Sequence, residues 1–286
     1  MAFGDRKDGR LVRDVDSMHF ICPIIYPNRC DNEAFISEKI DLTNIDKYLE
    51  NKNSDNPEFK YTFFHIIVTA MLKILYLRPK MNYFIANGNM YERYEKTASF
   101  VVKKKFADNG SEGLAFIHSV GQDNVDTIHQ KIKDIVYHQR KGGSDTSTDF
   151  MDVFAHKVPR FISKFIIHIV MYLDKHGLVP KAFIATDPYY SSVVLSNLGS
   201  IKLHSGYHHL TNWGTNSLFV AVGQIKKREF ADENGNKQLK NSIDLGLTID
   251  ERLADGYYYS RTVALLKKLL ENPELLEQPL ENEVDY

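Results

Sequence analysis

The chain has 286 residues, of which 43% are hydrophobic and 12% aromatic, so it can bury a sizeable core, and wholesale disorder is excluded. Lys plus Arg number 36 and Asp plus Glu number 37, and the net charge of −1 gives the chain no electrostatic reason to bind nucleic acid. The two cysteines, Cys22 and Cys30, fit neither a disulfide scaffold nor a zinc ribbon, and they predict free thiols in a reducing compartment.

The sequence also argues against a membrane or secreted protein. The N-terminus is charged from residue 5 and has no apolar segment of the kind that secretory signals contain. The most apolar stretches, Phe63–Leu77 and Phe161–Leu173, are interrupted by charged residues and are shorter than the roughly 20 residues that span a bilayer. We therefore predict a cytoplasmic protein without membrane association.

The first elements in chain order are a strand and two helices. The apolar run Phe20–Tyr26 predicts an early strand. Asp41-Leu42-Thr43-Asn44 predicts the start of a short helix that runs to about Leu49. Apolar residues then recur at helical spacing over Lys60–Leu77, and Pro79 ends that run. Three β segments follow, separated by turn residues such as Asp108-Asn109-Gly110: Met90–Tyr94, Ser99–Phe106 and Leu114–Val120.

The remainder of the chain alternates helices and strands. Two helices are predicted, Asn124–Arg140 and Val158–His176, with a loop at Gly142–Thr148 between them and Gly177 closing the second. The later segments predict two strands, a hairpin that turns at Asn234-Gly235, and a final helix: Ser191–Leu195, Ser217–Val222, Glu229–Ile249 and Tyr257–Glu271. Helices and strands intermix throughout, which is typical of a single α/β domain.

The segment after the hairpin carries a recognisable signature. It reads Asp250-Glu251-Arg252-Leu253-Ala254-Asp255-Gly256, where an alternating strand meets a tight turn and then a helix. This resembles the D-H-R-x-x-D-G signature of the catalytic domains of 2-oxo acid dehydrogenase acyltransferases and, more distantly, chloramphenicol acetyltransferase. Three further segments agree in order: Leu195–Ser200 resembles the family's S-N-L-G-S motif, Val220–Gly223 its apolar strand, and Arg78–Asn82 its proline-to-asparagine turn.

The resemblance implies a CoA-dependent acyltransferase fold of the chloramphenicol acetyltransferase type, an α/β domain with a mixed sheet and packed helices. Residues 1–286 would form this one catalytic domain, with an insertion near 150–190 that departs from the family and no lipoyl or subunit-binding domain. It also implies a homotrimer whose active sites lie between neighbouring subunits. CoA would enter each site from one side and a small-molecule acceptor from the other, with no permanently bound cofactor and no metal.

The same resemblance assigns four site residues and exposes one departure. Ser196 would steady the oxyanion of the tetrahedral intermediate, and Asp255 would hold the strand end by pairing with an arginine. Arg252 matches the family residue that follows the general base. Glu251, however, stands where the family has its catalytic histidine. A glutamate in water, with a pKa of about 4.3, is a poor base at neutral pH, and burial would be needed to raise it.

Several other features have both a plain and a functional interpretation. His208 and His209 echo a double-histidine form of the signature; we expect loop histidines, and a base that reaches in from this loop remains open. His204 and His208 have i, i+4 spacing but no third metal ligand. Lys103-Lys104-Lys105 fits a solvated strand end or a contact to a CoA phosphate. The apolar face of Phe161–Leu173 fits core or a subunit contact, with membrane association as the third alternative.

Three classes of function therefore stay open. The first is an acyltransferase with an altered base that moves an acyl group from CoA to a thiol, hydroxyl or amine. The second is a catalytically inactive trimeric scaffold, with or without CoA binding, and the third is a structural or regulatory subunit paired with an active homologue. Whether the protein is an enzyme depends on the base position.

Overall fold

The computed structural model describes residues 3–103, 112–141, 158–185, 187–232 and 234–286. Its strands are β1 Gly9–Leu11, β2 Glu33–Asp41, β3 Tyr83–Ala86, β4 Asn89–Arg93, β5 Lys96–Lys103, β6 Glu112–Ser119, β7 Val193–Asn197, β8 Leu218–Val222, β9 Lys226–Ala231 and β10 Lys237–Asp250. Its helices are α1 Ser17–Ile25, α2 Thr43–Lys52, α3 Phe63–Leu77, α4 Val125–Arg140, α5 Arg160–Lys175, α6 Lys181–Ile184 and α7 Gly256–Glu271. The predicted turn at Asp108-Asn109-Gly110 and the predicted loop at Gly142–Thr148 lie outside the described residues.

Two sheets organise the described chain. The larger has the strand order β2-β10-β8-β7-β5-β6, with β9 paired to the first half of β10. In it, β7 runs parallel to both β5 and β8, whereas the remaining pairs are antiparallel. The smaller sheet has the order β1-β4-β3 and is antiparallel. The predicted mixed-sheet α/β fold is confirmed.

One face of the large sheet is covered by helices. The alternating residues Ile243, Leu245, Leu247 and Ile249 of β10 point to this side and join the main core with buried residues of α3, α4 and α7. Val193 and Leu195 of β7 belong to the same core. The predicted alternation of β10 is therefore correct, and its apolar residues mark the face of the sheet that the helices cover.

The other face of the sheet is crossed by an extended segment, residues 203–216, which we call the strap. It contains no helix or strand, and about half of its residues are exposed. A side-chain carbon at Gly246 of β10 would lie 2.1 Å from the carbonyl oxygen of Gly206, so only glycine allows the strap to approach this closely. Leu210 anchors the strap in a small apolar cluster with Val194 and Phe219.

Most predicted elements are confirmed to within a few residues. The five longer helices that the sequence predicts correspond to α2, α3, α4, α5 and α7, and the predicted hairpin corresponds to β9 and β10. Its turn contains Gly235 with a φ of +80°. Gly177 follows α5 with a φ of +67°, as expected of a helix C-terminus. Both cysteines are free.

The prediction of an early strand at Phe20–Tyr26 is wrong, because these residues lie in and just after helix α1. The carboxylate of Asp16 caps that helix by accepting hydrogen bonds from the backbone N–H groups of Met18 and His19. A seven-residue apolar run is too short for its periodicity to separate a strand from a helix. The helix also leaves most of its apolar side chains exposed, so burial does not impose a strand-like alternation.

Candidate active site at the end of strand β10

A buried ion pair ends β10. The Asp250 carboxylate is fully buried and accepts hydrogen bonds from Arg252 Nε at 2.8 Å and from Arg252 Nη2 at 2.6 Å. The Nε atom of Arg29, also buried, lies 3.7 Å from the same carboxylate. A carboxylate held this way by guanidinium groups has fixed geometry, and its charge is compensated inside the protein. The strand end is therefore a rigid platform.

Helix α7 is attached to this platform by Tyr259. Its hydroxyl donates to the carbonyl oxygen of Asp250 at 2.9 Å and accepts from the backbone N–H of Ala254 at 3.1 Å. Burial raises the pKa of Tyr259, so the hydroxyl keeps its proton. The turn between the strand and the helix is thus held at both ends.

Asp255 caps helix α7 in the protomer, and the arginine pairing that the resemblance implies stays a prediction. Its exposed carboxylate accepts a hydrogen bond from the backbone N–H of Tyr258 at 2.7 Å and caps α7. Among the described residues, the carboxylate that pairs with arginine at this strand end belongs to Asp250. The protomer alone therefore gives Asp255 the function of a helix cap.

Glu251 is fixed through its backbone and free at its side chain. Its N–H donates to the carbonyl oxygen of Asn32 at 2.9 Å, and Arg252 Nη1 donates to the carbonyl oxygen of Tyr26 at 2.8 Å. The side chain of Glu251 is exposed, and within the described chain its carboxylate accepts no hydrogen bond. The burial that would make a glutamate an effective base is absent from the single protomer.

Ser196 lies half-buried on β7, on the sheet face that the strap crosses, because it alternates with the core residues Val193 and Leu195. In register, Ser196 pairs with Ala221 of β8, and Ala221 pairs with Gly246 of β10. Glu251 lies five residues beyond Gly246 and two strands away, which corresponds to a backbone separation of roughly 19 Å. Ser196 and Glu251 of one protomer cannot contact the same reacting atoms.

The strap carries a contact that the sequence did not reveal. The Glu33 side chain, only 4% exposed, accepts a hydrogen bond from His209 Nδ1 at 2.9 Å and a second one from the backbone N–H of Leu210. Its partner His209 is far away in the sequence, so no local spacing could have indicated the pair. His208 points elsewhere, and its ring stacks on Phe219 with the centroids 4.2 Å apart.

Arg29 connects the strap to the strand end. Besides its approach to Asp250, it donates from Nη1 to the carbonyl oxygens of Thr211 at 2.6 Å and Gly214 at 3.1 Å. Complete burial lowers the pKa of Arg29, and the carboxylate of Asp250 opposes that shift. One guanidinium group therefore holds the strap and the signature segment in a single arrangement.

Three other features singled out from the sequence are the histidine pair, the lysine run and the apolar helix. No group of three or more potential metal ligands occurs in the described part of the chain, and His204 Nδ1 lies 3.2 Å from the amide nitrogen of Gln224. Lys103 lies at the end of β5, whereas residues 104 and 105 are outside the described ranges. Phe161 and Phe165 of α5 are 74% and 67% exposed, so they do not form core in the protomer. No described helix is long and apolar enough to cross a membrane.

Comparison with known proteins agrees with this arrangement. Residues 185–277, about a third of the chain, match the model of the 2-oxoacid dehydrogenases acyltransferase catalytic domain. The predicted resemblance is confirmed. The matched segment contains both Ser196 and the whole stretch from Asp250 to Gly256 that resembles the signature. A sequence comparison with curated proteins finds no match.

The fold is that of the CoA-dependent acyltransferases of the chloramphenicol acetyltransferase type. The probable dihydrolipoamide acetyltransferase of Listeria monocytogenes 4b F2365 is 14% identical with a TM-score of 0.59, and the alignment covers 97% of this chain and 99% of that one. The cubic core of the pyruvate dehydrogenase multienzyme complex is 14% identical with a TM-score of 0.60 over 93% of each chain. A chloramphenicol acetyltransferase is 14% identical with a TM-score of 0.56, over 92% of this chain and 99% of that one.

Proposed function

We propose that this protein transfers an acyl group from CoA to a thiol, hydroxyl or amine acceptor, in active sites formed between the subunits of a homotrimer. The observation that carries the proposal is the framework of the signature segment, which is kept although Glu251 occupies the base position. Asp250 and Arg252 hold the strand end in a buried ion pair, Asp255 caps the following helix, and Ser196 lies on the strap face of the same sheet. These features keep the framework on which the matched family transfers acyl groups.

The separation of Ser196 from the β10 end supports a site between subunits. A hydroxyl that steadies an oxyanion must lie within about 3 Å of it, and a general base must also lie within hydrogen-bond reach of the acceptor. Residues roughly 19 Å apart in one protomer meet these conditions only when neighbouring subunits contribute them. The exposed aromatic residues of α5 offer apolar area for subunit contacts.

The direct test is acyl transfer with acetyl-CoA as the donor and a panel of small thiols, alcohols and amines as acceptors, with products identified by mass spectrometry. Ser196→Ala should lower kcat by about 10²–10³-fold, because it removes an oxyanion donor. Ser200→Ala is the matched control, since it deletes an exposed hydroxyl of the same motif that donates to the Asn197 carbonyl oxygen. The inactive scaffold would be indicated if the wild type neither transfers nor hydrolyses the acyl group and if millimolar CoA leaves its melting temperature unchanged.

Mixed trimers test whether the site lies between subunits. One protomer carries Ser196→Ala, and the other carries both Glu251→Gln and His209→Ala and therefore lacks either candidate base. Each homogeneous protein should be inactive. Random co-assembly of equal amounts joins an intact serine to intact bases at about a quarter of the interfaces, so about a quarter of the wild-type activity should return. No recovery, or a stable monomer at micromolar concentration in sedimentation equilibrium, would contradict the shared site.

A further inference from the structure

We propose that His209, oriented by the buried carboxylate of Glu33, is the general base of this active site in place of Glu251. The inference rests on the proposed acyl-transfer function and names the group that accepts the proton. The strap and the N-terminal end of β2 supply this pair, and neither belongs to the signature segment. The sequence offers no pattern that joins them.

The contacts of Glu33 define the orientation of the imidazole. Both carboxylate oxygens are used by the strap: one accepts from the Leu210 N–H and the other lies 2.9 Å from His209 Nδ1. A carboxylate only accepts hydrogen bonds, so Nδ1 carries the proton, and in the neutral ring Nε2 presents its lone pair. The His209 side chain is 84% exposed, which leaves that lone pair accessible to an acceptor molecule. This is the arrangement in which an imidazole can take up a proton.

The pair lies beside the position that the resemblance assigns to the base. Glu33 of β2 is the cross-strand partner of Asp250, and the neighbouring Asn32 accepts the Glu251 N–H. Directly opposite residues of antiparallel strands have Cα atoms about 4.5–5.5 Å apart. The same register relates Ser196 to Ser37 of β2, four residues from Glu33 and three strands from β7, which is again roughly 19 Å. Glu33, which holds His209, therefore lies about as far from Ser196 of its own protomer as Glu251 does, and a neighbouring subunit would supply the serine.

The proton transfer balances without another reactant. His209 Nε2 takes the proton from the acceptor hydroxyl, thiol or amine while the acceptor atom attacks the thioester carbonyl carbon. The oxyanion that forms is steadied by the Ser196 hydroxyl of the adjoining subunit, and the Glu33 carboxylate stabilises the imidazolium. Collapse of the intermediate breaks the carbon–sulfur bond. The imidazolium returns its proton to the CoA sulfur, leaving free CoA and the acylated acceptor.

The chain provides a matched control in the adjacent histidine. The His208 ring stacks on Phe219, and its Nδ1 lies 2.9 Å from the His209 carbonyl oxygen, so a backbone carbonyl stands where His209 has a carboxylate. We expect His209→Ala to lower kcat by about 10²–10⁴-fold with little change in KM, whereas His208→Ala stays within tenfold of the wild type. Added imidazole should restore part of the lost kcat in His209→Ala, because the substitution leaves space beside Glu33.

Glu33 is a positioning residue and is tested separately. Glu33→Gln keeps an oxygen that can accept from Nδ1 but removes the charge that stabilises the imidazolium, so kcat should fall while KM is unchanged. Glu33→Ala should lower kcat further, because it removes both the acceptor of Nδ1 and the acceptor of the Leu210 N–H. A Gln variant that retains clearly more kcat than the Ala variant is the expected result. Equal kcat in Glu33→Ala and wild type would overturn the orienting role.

The outcome for Glu251 separates the two proposals. If the wild type transfers acyl groups and depends on Ser196, but His209→Ala keeps kcat within tenfold, then the His209 inference is overturned and the proposed function stands. Loss of kcat in Glu251→Gln alone would then assign the base to Glu251. If the wild type neither transfers nor hydrolyses acetyl-CoA, then the proposed function fails and the base assignment fails with it.

Discussion

The end of β10 and the strap lie on the same side of the molecule but are held in place by different means. The strand end is fixed locally: Asp250 pairs with Arg252 two residues away, and Tyr259 closes the turn five residues beyond Ala254. The strap has no regular backbone pairing and is held by contacts from distant residues, chiefly Glu33 and Arg29. A local arrangement can be read from a sequence motif, and a long-range one cannot.

The comparison shows that a site can keep its local framework while a candidate base lies on other elements. The signature segment keeps its ion pair and its helix cap while its base position holds an exposed glutamate. Strand β2 adds a buried carboxylate, that of Glu33, and the strap adds the exposed imidazole of His209 beside that position. A framework with strong local bonds tolerates replacement of one side chain, because Glu251 contributes only its backbone N–H to the strand end.

The largest loss of stability is expected at the buried ion pair that ends β10. Asp250→Ala leaves the guanidinium groups of Arg252 and Arg29 buried without their carboxylate, so the free energy of unfolding should fall by about 3–5 kcal/mol. Asp244→Ala, on the same strand as Asp250, is the control: Asp244 is partly exposed and pairs with Arg228 of β9, and its loss should cost about 0–1 kcal/mol. Urea unfolding measures both, and equal losses would show that the strand end is not held by its ion pair.

The second prediction concerns Gly246→Ala, a substitution that should displace the strap and leave the strand end intact. Gly246→Ala places a carbon 2.1 Å from the Gly206 carbonyl oxygen, so the strap must move, at a cost of about 1–3 kcal/mol. Hydrogen exchange of the Leu210 amide, which is bonded to Glu33, should become faster. Gly206→Ala is the matched control, because a side chain there meets nothing within 4 Å. Unchanged exchange in Gly246→Ala would contradict the close packing of the strap.

The same distinction explains what the sequence could predict. The helix periodicity over Lys60–Leu77, the Asn234-Gly235 turn and the alternation of β10 are local signals, and the structure confirms all three. Helix α1 was missed because a short exposed apolar run has no burial pattern to identify it. Glu33 was missed because its significance depends on His209, which only the folding of the strap onto β2 brings near.

The third prediction concerns the loss of stability in acid, which we expect to arise from a buried histidine away from the strap. His65 lies on α3, away from the strap face, and burial lowers its pKa to about 3. The folded state therefore favours the neutral ring, whereas an unfolded histidine binds a proton below about pH 6.5. Between pH 6.5 and 3 the free energy of unfolding should fall by about 1.4 kcal/mol per pH unit from this group alone.

The variant that checks this prediction is His65→Gln, which cannot be protonated and can still accept the Thr62 N–H that His65 Nδ1 accepts at 2.9 Å. Its stability should decline less steeply with acid than that of the wild type. His168→Gln, on the exposed side of α5, should leave the slope unchanged and serves as the control. An identical slope in His65→Gln and wild type would show that His65 does not govern the acid response.

The smallest change in stability is expected at Asp255, and it tests whether this residue has a role beyond capping α7. Its carboxylate accepts the Tyr258 N–H at 2.7 Å, and asparagine makes the same bond without charge. Asp255→Ala should therefore lower the free energy of unfolding by about 1 kcal/mol, while Asp255→Asn should leave it within about 0.5 kcal/mol of the wild type. The resemblance implied an arginine partner, and such a pair would depend on the charge that asparagine lacks. A loss in Asp255→Asn as large as in Asp255→Ala, and larger where the protein is assembled, would assign that arginine to a neighbouring subunit.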